Sequence, residues 1–319
     1  MPSTNPPPFP VTTLHTEPQH IPITIPSHFF PPSPQNDLHP PLYHRSHPLL
    51  THTPFLSWLN TLTHSLALQK TSKNHPFYAD PYELKSIKVN HINYFGRGEN
   101  ARIGFVSMDA EIKNSSGESL PGVVFLRGGA VAVLVIVEED EGREEGGGAG
   151  EGDREQWTIV TSQPRIPVGT LRFLEIPAGM IDSAGKVTGK AAEEIKEELG
   201  ITIDAEKLID LCALTEQMGR GMEGQGNAET GMAEEKVEVG MYPSAGGSDE
   251  FIKLYAYVHR VGKGEVKELE GKVGGIREDG ERIVLRLVGL KDLWKVAARD
   301  AKALGAWTLW RGLKEAGVI

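Results

Sequence analysis

Apolar residues recur along this chain with two periods, and the switches between them mark its elements. Phe55, Trp58, Leu59, Leu62 and Leu66 repeat at helical spacing. The helix they predict starts near Pro54, where proline suits a first turn. From Leu84 the period becomes that of strands, in "LKSIKVNHINYFG", "ARIGFVSMDAEI" and "GVVFLRGGAVAVLVIV". Further strands are expected at "WTIVTSQPR", "LRFLEIP", "LIDLCALTEQ", "DEFIKLYAYVHR" and "ERIVLRLVGL". A central helix covers Lys190 to Leu199, with the chain returning to a strand at Ile201. Two helices close the chain, near Lys291 to Ala298 and Asp300 to Glu315, the latter with Ala303, Ala306, Trp307, Trp310 and Leu313 as its buried stripe. No regular βαβ alternation is present, so the pattern predicts an α+β fold: a mixed sheet clamped between helices.

Composition adds the segments that the pattern leaves blank. Residues 1–53 are dominated by Pro, His, Thr and Ser and are expected to form a disordered arm, because proline lacks an amide donor. The acidic, glycine-rich run at 138–155 is expected as an expanded hairpin loop, and 219–238 as a second insertion. The single cysteine, Cys212, excludes an internal disulfide and reads as a small buried hydrophobe. A net charge of -10 argues against a general nucleic-acid grip. No apolar run is long enough to span a bilayer, so no membrane partner is expected. No signal-peptide pattern is visible, and a cytosolic location is favoured. An N-terminus poor in acids leaves organelle targeting open.

The central helix carries the candidate chemistry. Ala191, Ala192, Ile195 and Leu199 share one face, while Glu193 stacks on Glu197 and Glu194 on Glu198. Like charges one turn apart destabilise a helix by roughly a few tenths of a kcal/mol per pair. Lys190 and Lys196 can reach Glu193 or Glu194, but no cation lies at salt-bridge spacing from Glu197 or Glu198. A hard divalent cation, bound by carboxylates, carbonyls and substrate phosphates, would neutralise such a face. The tight "PAGM" turn before the helix could bring backbone carbonyls near it, and Gly200 ends it.

These residues resemble the signature of the Nudix hydrolases. Counted from Gly179, the chain places Glu194, Ile195, Glu197, Glu198, Gly200 and Ile201 in register with the Nudix box. It departs at Gly185, where the box has a glutamate, and at Glu193, where it has an arginine. "VTSQPRIPVG", "LEIPAGMID", "PSAGGSDE" and "GGIREDGERIVLRLVGLKDLW" are similar to the ADP-sugar diphosphatase branch, especially its plant ADP-glucose type and fungal relatives. The resemblance implies a Nudix-like α/β/α sandwich preceded by a small N-terminal helix and antiparallel strands. It implies that 54–122 form a dimerising subdomain and 123–319 the hydrolase domain. It implies Mg²⁺, or Mn²⁺ in its place, on Glu194, Glu198, Glu197 and the Ala178 carbonyl. Glu250 would orient or deprotonate the attacking water, with Asp249 as its competitor, and Arg165 and, more weakly, Arg127 would bind substrate. The substrate implied is a nucleoside diphosphate sugar, ADP-glucose or ADP-ribose, cleaved to AMP and a sugar phosphate by a homodimer. The two departures imply weakened activity, or a domain that only binds its nucleotide sugar.

Overall fold

The computed structural model describes residues 11–15, 20–29, 47–96, 101–140, 155–181, 187–223, 235–262, 264–274 and 283–319. The chain divides into two compact units: Met1–Gly128 with Gly224–Glu238 and Ser244–Glu250, and Gly129–Glu223 with Val239–Pro243 and Phe251–Ile319.

The first unit is a six-stranded sheet with one long helix. Its elements are β1 (Val11–His15), β2 (Pro22–Pro26), α1 (Thr53–Thr71), β3 (Glu83–Phe95), β4 (Arg102–Lys113), β5 (Ser119–Leu120) and β6 (Val123–Leu126). Phe55 and Leu59 of α1 are buried in one cluster with Ile23, Ile25, Ile87 and Val106 of the sheet. This corrects the expectation of a wholly disordered arm over 1–53. Ile21, Ile23 and Ile25 alternate with polar or proline positions, and all three are buried. That alternation outweighs the proline count, because β2 adds to β3 through only two residue pairs, Ile23 with Ile87 and Thr24 with Lys88, which its prolines flank. Residues 1–10, 16–19 and 30–46 of the arm lie outside the described residues. The unit also runs past 122, since Val123–Leu126 pairs with β4.

The second unit carries the expected α/β/α layering. Its strands are β7 (Ala130–Asp140), β8 (Gln156–Arg165), β9 (Thr170–Glu175), β10 (Ala178–Met180), β11 (Ile209–Asp210), β12 (Ile252–Gly262), β13 (Val273–Gly274) and β14 (Ile283–Gly289). Its helices are α2 (Val187–Leu199), α3 (Leu211–Glu223), α4 (Leu293–Val296) and α5 (Ala301–Glu315). β7 explains the layering. Val131, Val133, Val135 and Val137 join the cluster that holds Ala191, Ile195 and Leu199 of α2. Ala130, Ala132, Leu134 and Ile136 join the cluster that holds Leu211, Ala303, Ala306 and Trp310 of α3 and α5. A strand covered on both faces must be apolar throughout, which is why "AVAVLVIV" does not alternate. The sheet is mixed: β7 runs parallel to β12 and antiparallel to β8 and β10.

Three local expectations are corrected. The segment "LIDLCALTEQ" is a two-residue strand followed by a helix. Asp210 accepts the Ala213 N–H at 2.9 Å, and this cap turns the apolar run into α3. The second insertion therefore begins inside a helix, since α3 reaches Glu223, and 224–234 lie outside the described residues. Ile201 enters a loop, not a strand, although Ile201 and Ile203 are buried. The helix expected near Lys291 is a 3-10 turn and the four residues of α4. Cys212 is buried as expected, and its sulfur accepts the Leu254 N–H at 3.4 Å. Residues 141–154 of the acidic loop lie outside the described residues, but β7 and β8 pair at its base, Glu138 opposite Gln156.

Candidate active site

The turn before α2 is fixed by its pairing with β7. Val133 donates its N–H to the Pro177 carbonyl at 3.0 Å, and Ile181 donates to the Gly129 carbonyl at 2.9 Å. In this register Ala178 sits opposite Ala132 as a non-hydrogen-bonded pair. The Ala178 carbonyl therefore points away from β7, as one oxygen donor of the turn.

Helix α2 follows with its apolar face buried, Ala191 and Ile195 completely. Gly200 ends it with φ +70°, and its N–H bonds the Lys196 carbonyl at 3.0 Å. The last turn is pressed against β13. A Cβ at Gly274 would collide with the Glu198 carbonyl, so only glycine lets the two backbones meet there.

The glutamates of this helix are not equivalent. Glu193 is exposed and pairs with Lys190, Nζ to Oε2 3.1 Å. Glu197 is half-buried. Glu198 is 6% exposed, and the Gln163 amide Nε2 donates to its Oε1 at 3.5 Å. The Glu194 side chain and Gly185 lie outside the described residues. Among the described residues no three His, Cys, Asp or Glu side chains form a ready metal cluster. The donors that are described, two carboxylates and a carbonyl, are all hard oxygens and fit Mg²⁺ or Mn²⁺.

Arg165 ends β8 inside a charge network that its sequence neighbours do not reveal. Its Nε donates to Glu175 Oε1 at 2.7 Å. Lys302 Nζ donates to Glu175 Oε2 and to Asp300 Oδ1, both at 2.9 Å. Asp300 caps α5 and accepts the Ile176 N–H at 3.0 Å, immediately before the turn. Glu175 and Asp300 are buried. Lys302 is half-buried, which alone would lower its pKa, but Asp300 and Glu175 together hold it above its ordinary value. Glu175 opens the "EIPAGM" stretch and had no role in the sequence reading. Its partner Lys302 lies 127 residues away, so no local pattern could disclose the network.

The first unit gathers the other candidates. Asp249 accepts the backbone N–H of Arg127 at 2.7 Å and that of Gly128 at 3.1 Å. Burial raises its pKa, and those two N–H groups pull it back down in part. Glu250 pairs instead with the Arg127 side chain, Oε1 to Nη2 3.3 Å. The Arg127 guanidinium also lies over the Phe105 ring, 5.6 Å from its centre. Arg127 and Glu250 are thus brought together, and Asp249 is engaged in holding the turn that carries Arg127.

The chain is similar to known proteins. No family model matches the chain. Over 238 residues it is 34% identical to Nudix hydrolase 14, chloroplastic, of Arabidopsis thaliana, which covers 74% of this chain. The chain is thus similar in sequence to a Nudix hydrolase. It spans 65% of the length of that relative. A crystal structure of an ADP compounds hydrolase is a loose likeness: TM-score 0.38, 13% identity, 74% of this chain and 99% of that one. The expected helix over 190–199 and its glycine stop at Gly200 are present. Among the described residues no helix is long and apolar enough to cross a membrane.

Proposed function

We propose that this protein hydrolyses the diphosphate bond of a nucleoside diphosphate sugar, ADP-glucose or ADP-ribose, to AMP and a sugar phosphate. The observation that carries the reading is Glu198, a carboxylate buried in the last turn of a helix that follows the box turn. A helix C-terminus favours cations by roughly 0.3–1 kcal/mol, so a carboxylate there is well placed to receive one.

Glu198, Glu197 and Glu194 are the proposed metal ligands, with the Ala178 carbonyl beside them. Bound there, Mg²⁺ would offset the diphosphate charge and acidify a water. Glu250 is the proposed base that accepts the proton of the attacking water. The engagement of Asp249 with two backbone N–H groups supports Glu250 over its neighbour. Arg165 is the proposed grip on the substrate phosphates, and Arg127 is proposed to orient Glu250. Water attacks a phosphorus atom, the bridging P–O bond breaks, and each product leaves as a phosphate ester.

The relative is a Nudix hydrolase by name, which supports hydrolysis of a nucleotide derivative. A second reading, a weakened domain that binds the nucleotide sugar without turnover, is favoured by one observation. Glu193 points to solvent and pairs with Lys190, so it does not replace the arginine that the box has there. A panel of nucleoside diphosphate sugars with Mg²⁺ and with Mn²⁺ separates the two readings. AMP release over many turnovers supports the hydrolase. Tight binding in calorimetry without product supports the binding module. The chain is further proposed to work as a homodimer, and a monomer mass in light scattering would contradict that.

A further inference from the structure

We propose that Lys302, carried by the C-terminal helix, is a positioning residue that keeps the Arg165 guanidinium available to the substrate's phosphates. This rests on the reading of Arg165 as a phosphate-binding residue. The Glu175 carboxylate is divided between two cations: Oε1 takes Arg165 Nε at 2.7 Å, and Oε2 takes Lys302 Nζ at 2.9 Å. The division matters because an arginine beside a carboxylate prefers to bind both oxygens with its fork. With Oε2 occupied by Lys302, Arg165 is held through Nε at one oxygen. Its side chain stays 39% exposed, whereas that of Glu175 is 3% exposed.

The arrangement is anchored from the far side. Asp300 Oδ1 accepts Lys302 Nζ at 2.9 Å and the Lys302 N–H at 3.1 Å. Asp300 Oδ2 accepts the Ile176 N–H at 3.0 Å. One capping aspartate therefore fixes both the lysine and the entry to the box turn. Two cations face two buried carboxylates, so the group is neutral overall, and an incoming phosphate meets an arginine already oriented. Without Lys302, Arg165 becomes the remaining cation on Glu175, closes onto both oxygens and turns away from the substrate.

A double-mutant cycle tests this. Lys302→Met is expected to raise KM for the nucleoside diphosphate sugar about tenfold while kcat changes less than about threefold, the pattern of lost uniform binding. Lys302→Arg should restore most of the KM. In an Arg165→Ala background, Lys302→Met should add little, since residues acting through one another are not additive. An equal KM penalty in both backgrounds, or no penalty in either, would overturn the proposal, because a merely structural lysine gives one of those results. If Lys302→Met does not fold, Lys302→Gln, which can still donate to both carboxylates, carries the cycle with a smaller expected penalty. If the wild type turns over no nucleotide sugar, the proposed function fails, and the cycle is read on ADP and inorganic pyrophosphate binding by calorimetry. Coupling between Arg165 and Lys302 in that binding upholds the proposal. Absence of coupling, or of binding by the wild type, overturns it.

Discussion

Helix α2 holds two glutamates five residues apart, Glu193 and Glu198, and the protein treats them in opposite ways. Glu193 sits at the middle of the helix, exposed, with Lys190 at 3.1 Å. Glu198 sits in the last turn, buried, beside the Gln163 amide and against the β13 backbone. An exposed pair one turn apart is worth roughly 0.2–0.5 kcal/mol and is an ordinary surface feature. A carboxylate buried at the negative end of a helix dipole is not ordinary. The contrast separates an exposed carboxylate from a buried one within one run of four glutamates.

The largest expected effect that could break the contrast is on activity. Glu198→Gln should lower kcat/KM by more than the roughly 10–100-fold typical of outer-shell partners of a metal, whereas Glu193→Gln should stay within about threefold. Similar losses for both, in steady-state assays of AMP release, would erase the distinction. Next comes Gly274→Ala. Its Cβ collides with the Glu198 carbonyl, so the last helical turn must move. We expect a loss of about 1–3 kcal/mol in denaturant unfolding, as for other overpacked sites, with activity falling alongside. Unchanged stability would mean that α2 and β13 are not pressed together.

A smaller effect concerns stability. Without metal, Glu198→Gln should shift stability by less than about 1 kcal/mol, because the isosteric amide keeps the packing beside Gln163 and β13. Glu193→Gln should cost a few tenths of a kcal/mol. Destabilisation by Glu198→Gln in metal-free urea unfolding would make that carboxylate a structural one. The smallest effect concerns the first unit and serves as a control. His47 Nδ1 accepts the Leu49 N–H at 3.1 Å, and burial lowers its pKa below its ordinary 6.5. A depressed histidine contributes stability that is complete above pH 6.5 and is lost as pH falls toward its folded value. The segment around Pro48–Thr51 should therefore lose hydrogen-exchange protection below that pH, and His47→Ala should remove the pH dependence. Neither change should shift the Glu193–Glu198 contrast.

Much of this was legible in the sequence, for definite reasons. β7 was readable because a strand buried on both faces is apolar throughout. The box was readable because turn, helix and glycine stop are local, and their spacing survives even where Gly185 and Glu193 depart from it. Four things were hidden. The short run "LIDLCALTEQ" suits strand and helix alike, and one capping hydrogen bond from Asp210 decides for α3. Prolines masked the alternation at Ile21, Ile23 and Ile25, which only their place in the core reveals. The choice between Asp249 and Glu250 depended on which backbone N–H groups folding brings to each. The network of Arg165, Glu175, Lys302 and Asp300 joins segments far apart in sequence, and no pattern within either predicts it.

The most direct measurement is Mn²⁺ binding, followed by electron paramagnetic resonance, in the wild type, Glu198→Gln and Glu193→Gln. Mn²⁺ should bind the wild type and Glu193→Gln alike and bind Glu198→Gln at least about tenfold more weakly. Equal binding by all three proteins, or none by the wild type, would contradict the assignment of the last turn of α2 as a metal site.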